Sequence, residues 1–318
     1  MASTAQPTST GDKSDNEKLA ALLDPANLIA MYMEGVKPGQ LWLAEPYRTT
    51  HDSGSNEQPS RYLGSSEFVL VTAIDEADPR LVHVVPMSND PCVQTERSVV
   101  VAESPLGMPM VAWKQLAAVI PVRFLFRPLG SFDKETTGHL SQGESDEKLG
   151  IERGKRPLSQ IGRENREFMF RAIRFAVWQA ACSKLPKFEQ EDEQQEALAR
   201  QQREAYMHAL RTVLGMQAAD RARVVRGVKK LTAAQHKKMA KAGFPEPPAD
   251  ALPMQYQVMA EQPMWRPLVE KVDRPEDETR AELSRAAFKL AARATGPRDS
   301  AIQARFEQVA KAMLSHNG

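Results

Sequence analysis

At 318 residues, with 42% hydrophobic and 26% charged side chains, the chain is long enough for two domains and has an ordinary globular composition. It contains no apolar stretch of the roughly 18 residues needed to cross a membrane. Its start, MASTAQPTSTGDKSDNEK, lacks the apolar core of a secretory signal. Two cysteines, Cys92 and Cys182, are too few for a disulfide framework or a four-cysteine zinc site, so a reducing, cytoplasmic setting without membrane contact is expected. The net charge of +1 conceals a division: residues 1–150 hold 12 Lys+Arg against 20 Asp+Glu (−8), and residues 151–318 hold 30 against 21 (+9). Either the halves dock and neutralise each other, or the basic half meets a polyanion.

The first dozen residues, rich in Ser and Thr, predict disorder. Ser14 with Glu17 forms a capping-box pattern opening a short helix through Leu19, Leu22 and Leu23. Asp24-Pro25 stops it and starts a second helix that ends at Gly35. From Val36 to about Gly130 the period changes. Short β-branched or aromatic runs (41–43, 68–71, 81–85, 98–101 and 119–120) are separated by turn-forming stretches such as Asn89-Asp90-Pro91. Five or six strands at this spacing predict a small, strongly curved antiparallel barrel, with a long polar loop over 47–64. Residues 131–160, polar and dotted with glycines, predict a linker.

Beyond the linker the chain turns helical, so the fold class expected is α+β, a small antiparallel barrel followed by an α-helical domain over 161–318. The first helix, 163–185, is apolar nearly all round and is expected to be buried on several sides. A second runs from about Glu189 to Met216. Two shorter ones cover about 220–230 and 233–242, with Thr232 and Gln235 as a capping box. A Pro-rich connector spans 245–267, and two helices, opening after Pro275 and near Asp299, finish the chain.

Within the strand-rich part, Pro38-Gly39-Gln40-Leu41-Trp42-Leu43, Phe68-Val69-Leu70-Val71, Val84-Val85-Pro86-Met87-Ser88 and Val111-Ala112-Trp113-Lys114-Gln115-Leu116 resemble segments of the PemK/MazF family of toxin endoribonucleases. The resemblance covers about 95 residues and implies an SH3-like barrel. It also implies where RNA cleavage would be carried: by an arginine opening the second strand and by a Ser/Thr on its neighbour. Ser88 falls at the Ser/Thr position, but Ser66-Glu67 stands where the family has Arg-Pro, and Lys114 replaces an acidic residue. A guanidinium there stabilises the phosphorane formed when a ribose hydroxyl attacks phosphate; a carboxylate repels it. Arg61 and Arg97 are the candidate surrogates. The substitution argues for a barrel that keeps the fold as a docking platform without the activity.

No ligand-like spacing joins the six histidines, and no phosphate loop, HExxH pair or Gly-x-Ser-x-Gly elbow occurs, so no cofactor or metal is expected. His83, in an apolar strand, reads as a hydrogen-bonded structural residue. The densest electrostatic signal is Arg221, Arg223, Arg226, Lys229, Lys230, Lys237, Lys238 and Lys241, with no acidic residue between Asp220 and Glu246. Val224, Val228 and Leu231 give this run an apolar face, and its two short helices suit contact with a polyanion. If all eight met phosphates, the log–log salt slope would be on the order of −7. Docking on the acidic half is the competing use. On the 163–185 helix, Arg163, Arg166, Arg171 and Arg174 share an arc of about 140° at roughly 100° per residue, beside Trp178. They suit phosphate and base contact, or pairing with carboxylates of the N-terminal half.

The expectation is therefore a degenerate toxin-like barrel coupled to a basic, nucleic-acid-binding helical domain, acting as a regulator or interaction component in a toxin–antitoxin or defence setting. The alternatives are an active endoribonuclease using Ser88 with Arg61 or Arg97, and a protein–protein adaptor or homodimer without nucleic acid.

Overall fold

A computed structural model describes residues 24–46, 66–157, 162–188, 193–225, 229–245, 252–272, 274–293 and 302–316. The fold is α+β. The chain divides into two compact units, one of residues 1–185 with 261–266, the other of 186–260 with 267–318. The predicted Ser14–Glu17 helix and the 47–64 loop lie outside the described residues.

In the first unit, helix α1 (Pro25–Met33) is capped by the Asp24 carboxylate, which accepts from the Ala26 amide, and Pro25 opens it as the sequence predicts. Among the described residues eight strands follow: β1 (Gln40–Ala44), β2 (Glu67–Ile74), β3 (Leu81–Ser88), β4 (Val99–Val101), β5 (Met110–Ala112), β6 (Ala118–Pro121), β7 (Leu125–Ser131) and β8 (Ile151–Arg153). They pair antiparallel in the order β7-β1-β2-β3-β5-β4-β8, with β6 also on β3. Pro86 explains how β3 serves two neighbours. Residues Leu81–Val84 pair with β6, Met87 and Ser88 pair with β5, and the residue without an amide proton sits at the changeover.

Both faces of the sheet are covered, so its strands read as continuous apolar runs. Leu41, Leu70, Val85, Met87, Val101 and Met110 form one core with Leu140 of helix α2 (Lys134–Gln142) and Ile151 of β8. Their sequence neighbours Trp42, Val69, Val71 and Val84 form the other, with Ile120 and with Phe175 and Trp178 of helix α3 (Arg163–Ala181). Gly39, at φ +89°, approaches so closely that a β-carbon would lie 3.0 Å from the Phe132 carbonyl oxygen.

Three expectations change here. Residues 131–160 are not a linker: Asp133 caps α2 through Thr136, and β8 pairs with β4. Gly154, expected as linker flexibility, is instead fixed by crowding, since a β-carbon there would lie 2.1 Å from the Thr95 carbonyl oxygen. Helix α3 belongs to the sheet unit and buries one face only; Met169, Phe170 and Ile173 are exposed.

In the second unit, helices α4 (Glu193–Thr212), α5 (Ala218–Val225) and α6 (Ala233–Lys241) pack around Tyr206, Leu210, Val224, Leu231 and Met239. The Pro-rich 245–267 stretch is not plain connector, for it carries α7 (Met254–Ala260) and a single 3₁₀ turn (Pro263–Trp265) and leads into α8 (Arg266–Lys271). Helices α9 (Glu276–Arg293) and α10 (Ile302–His316) close the chain. Tyr256 of α7 stacks on Phe306 at 6.0 Å and meets Phe288 edge-on at 5.2 Å.

The two cysteines differ sharply. Cys92 is exposed, whereas Cys182 donates from Sγ to the Val119 carbonyl at 3.4 Å, and burial pushes its thiol up to about 11. At about pH 8 one thiol per chain should react rapidly with a disulfide reagent, and Cys92→Ser should abolish that phase. Equal reaction rates for both thiols would contradict the burial of Cys182.

Candidate functional site

Ser88 and Arg97, one of the two pairings of the endoribonuclease alternative, share no hydrogen bond among the described residues. Ser88 ends β3 opposite Val111, is 4% exposed, and its Oγ accepts from the Asp90 amide at 3.1 Å, the geometry of a strand-end turn. Arg97 is exposed in the turn before β4. Its carbonyl accepts from Gln115 Nε2 at 2.5 Å, and its amide donates to Thr95 Oγ1 at 3.3 Å. Arg61 lies outside the described residues.

Glu67, the substituted position, opens β2 opposite Ala44 with its side chain 6% exposed. A carboxylate so placed requires partners. Arg171 donates from Nε to Glu67 Oε2 at 3.0 Å, and Arg174 pairs with Oε1. Arg171 also reaches Glu167 at 3.2 Å and lies 4.7 Å over the Trp113 ring. Burial lowers the pKa of both guanidiniums; for Arg171 the carboxylates of Glu167 and Asp90 act the other way. Two cations and two carboxylates thus balance between α3 and the sheet, buried except at Glu167, whose side chain is 39% exposed. From the sequence alone Glu67 reads only as a repulsive residue. Its role as the counter-ion of α3 was signalled by an isolated carboxylate heading an apolar strand, and by the i,i+4 spacing of Glu167 and Arg171.

The remaining α3 arginines are nearer solvent. Arg163 pairs with Asp90 at 2.8 Å, and Arg166 is exposed. Arg163, Arg171 and Arg174 are therefore paired with Asp90 and Glu67 of the N-terminal half, whereas Arg166 is ion-paired to no carboxylate among the described residues.

The α5–α6 run is different. The capping box forms as predicted, with Thr232 and Gln235 exchanging bonds at 2.9 and 3.3 Å. Val224, Leu231 and Met239 turn inward, so Arg223, Lys230, Lys237, Lys238 and Lys241 are left exposed. Lys229 pairs with Asp220 at 2.8 Å, and that bond depresses the Asp220 carboxyl. Arg221 is half-buried, its Nη1 donating at 3.5 Å to the Met207 carbonyl, and Arg226 lies outside the described residues. Among the described residues no carboxylate is ion-paired to Lys230, Lys237, Lys238 or Lys241, and no three His, Cys, Asp or Glu side chains gather to hold a metal ion. His83 bonds Asp75 at 3.1 Å, the structural role expected.

No protein-family model matches the chain, and no curated protein matches it.

Proposed function

We propose that the chain is a nucleic-acid-binding protein in which a PemK/MazF-like sheet serves as a non-catalytic scaffold and the basic helical unit contacts the phosphate backbone. The observation that carries this reading is the contrast between two arginine- and lysine-rich surfaces. The α3 cations nearest the sheet are neutralised by Glu67 and Glu167, while the α6 lysines face solvent without a counter-ion among the described residues. Exposed cations held on a short capped helix form an electrostatic footprint for a polyanion. A regulatory or defence-related role belongs to the same proposal and rests on the family resemblance.

The test is a salt titration of binding to a single-stranded oligonucleotide. Replacing Lys237, Lys238 and Lys241 together by Gln should make the log–log slope shallower by about 2, at about 0.7 per lost phosphate contact. Wild-type binding indifferent to salt, or a slope unchanged in the variant, removes the reading.

A further inference from the structure

In the second unit a cleft of about 470 Å³ opens between α4 and α5, lined by Arg200, Arg203, Glu204, Arg211 and Arg221 among others. At roughly 100° per residue, Arg200, Arg203, Glu204 and Arg211 fall within an arc of about 100° on α4. Arg221 enters from α5, close enough for its Nη1 to reach the Met207 carbonyl. Tyr206, Leu210 and Val224 pack behind this wall, fixing the two helices against each other.

Four guanidiniums and one carboxylate therefore converge on a single concave surface. The Nε of Arg221 is buried there and makes no hydrogen bond among the described residues. A buried donor without an acceptor carries a desolvation cost. An anion entering the cleft supplies the acceptor that Arg221 lacks. Guanidinium forks match a tetrahedral oxyanion through paired N–H bonds, and the cleft is far larger than one carboxylate requires.

We propose that this cleft is a phosphoryl-binding site, separate from the α6 lysines that carry the function argued above. The phosphoryl group has two possible sources, the backbone of a nucleic acid or a free phosphorylated ligand, and the experiment separates them. Glu204 sits among the arginines as an internal brake on anion affinity.

The full chain is titrated with inorganic pyrophosphate by calorimetry and with a labelled single-stranded RNA of about 20 nucleotides by anisotropy, a length that exceeds a single-strand binding footprint. The variants are Arg200→Gln/Arg211→Gln, at exposed positions outside the core, and Glu204→Gln. Pyrophosphate binding should weaken at least about tenfold in the double arginine variant, and tighten in Glu204→Gln as a repelling charge is removed. A gain of affinity cannot come from misfolding. If RNA affinity follows the same two directions, with a salt slope shallower by about 1.4, the group is a backbone phosphate. If pyrophosphate responds and RNA does not, the site takes a free phosphorylated ligand. Should RNA fail to bind wild-type protein at all, the function proposed above falls, and the pyrophosphate response alone decides the cleft. Indifference of both ligands to both variants overturns the site.

Discussion

Replacing Arg123 by alanine should lower the stability of the sheet unit by about 3–5 kcal/mol, because it strands the Glu261 carboxylate without its partner in a buried position. Arg123 lies in the 3₁₀ turn between β6 and β7, and both it and Glu261 are under 10% exposed. The guanidinium grips the carboxylate with both arms, Nε to Oε2 at 2.6 Å and Nη2 to Oε1 at 2.8 Å. The same short segment is held again at Arg266, which donates to the Glu45 carbonyl at 2.7 Å and lies 4.4 Å over the Phe126 ring. Residues 261–266 are thus bound to the sheet by charge at each end, 138 positions along the chain from Arg123 in the case of Glu261.

The measurement is favoured by an accident of composition. All four tryptophans, Trp42, Trp113, Trp178 and Trp265, belong to the sheet unit, so urea melts followed by tryptophan fluorescence report that unit without the helical one. A double variant, Arg123→Met with Glu261→Leu, should recover most of the loss, since an apolar pair of similar size removes the unpaired charge. If Arg123→Ala costs no more than an exposed-pair substitution, about 0–1 kcal/mol, the bond does not hold the segment.

The elements legible in the sequence are those whose signals are local. Asp24-Pro25 and Thr232–Gln235 announce their helices through side chains that satisfy amides two or three residues away, and both caps form. The strands over 67–74 and 81–88 are legible because two buried faces impose unbroken apolar runs. What escaped depends on distant partners. Strand β8 is three residues long, two of them exposed, and is held by its pairing with β4 and by a bridge from Ile151 to Asp146. Helix α2 draws its burial from Leu140 alone among its large apolar side chains, too little for a 3.6-residue period to show. The apolar circumference of α3 predicts burial on several sides, but only the sector with Phe175 and Trp178 meets the sheet. At the candidate sites the lysines of α6 were legible as a charge run. The arginine cleft was not, because Arg200, Arg203 and Arg211 are interleaved with glutamate and glutamine, and Arg221 joins them only when α5 folds back on α4.

Glu67 gives the second large effect and the sharpest test of the non-catalytic reading. Phe68 pairs with Met87, so one step further along the register Glu67 and Ser88 end adjacent strands. In the resembled family this is where arginine and hydroxyl cooperate; here the guanidiniums arrive from α3, but the carboxylate of Glu67 holds them. Glu67→Ala leaves Arg171 and Arg174 buried without that counter-ion, a loss of about 3–5 kcal/mol expected in the tryptophan-monitored melt. Glu67→Gln keeps the shape and one acceptor oxygen for the two guanidiniums while removing the charge, so it should fold with a smaller deficit than Glu67→Ala. Incubated with single-stranded RNA, wild type, Glu67→Gln and Ser88→Ala should all leave the RNA intact, since among the described residues no base is hydrogen-bonded to the Ser88 hydroxyl and its oxygen is engaged by the Asp90 amide. Cleavage by wild type that disappears in Ser88→Ala would restore the enzyme. Cleavage that appears only in Glu67→Gln would mean that Glu67 suppresses an otherwise competent site, for the neutral amide would have released the positive charge that a phosphorane transition state demands.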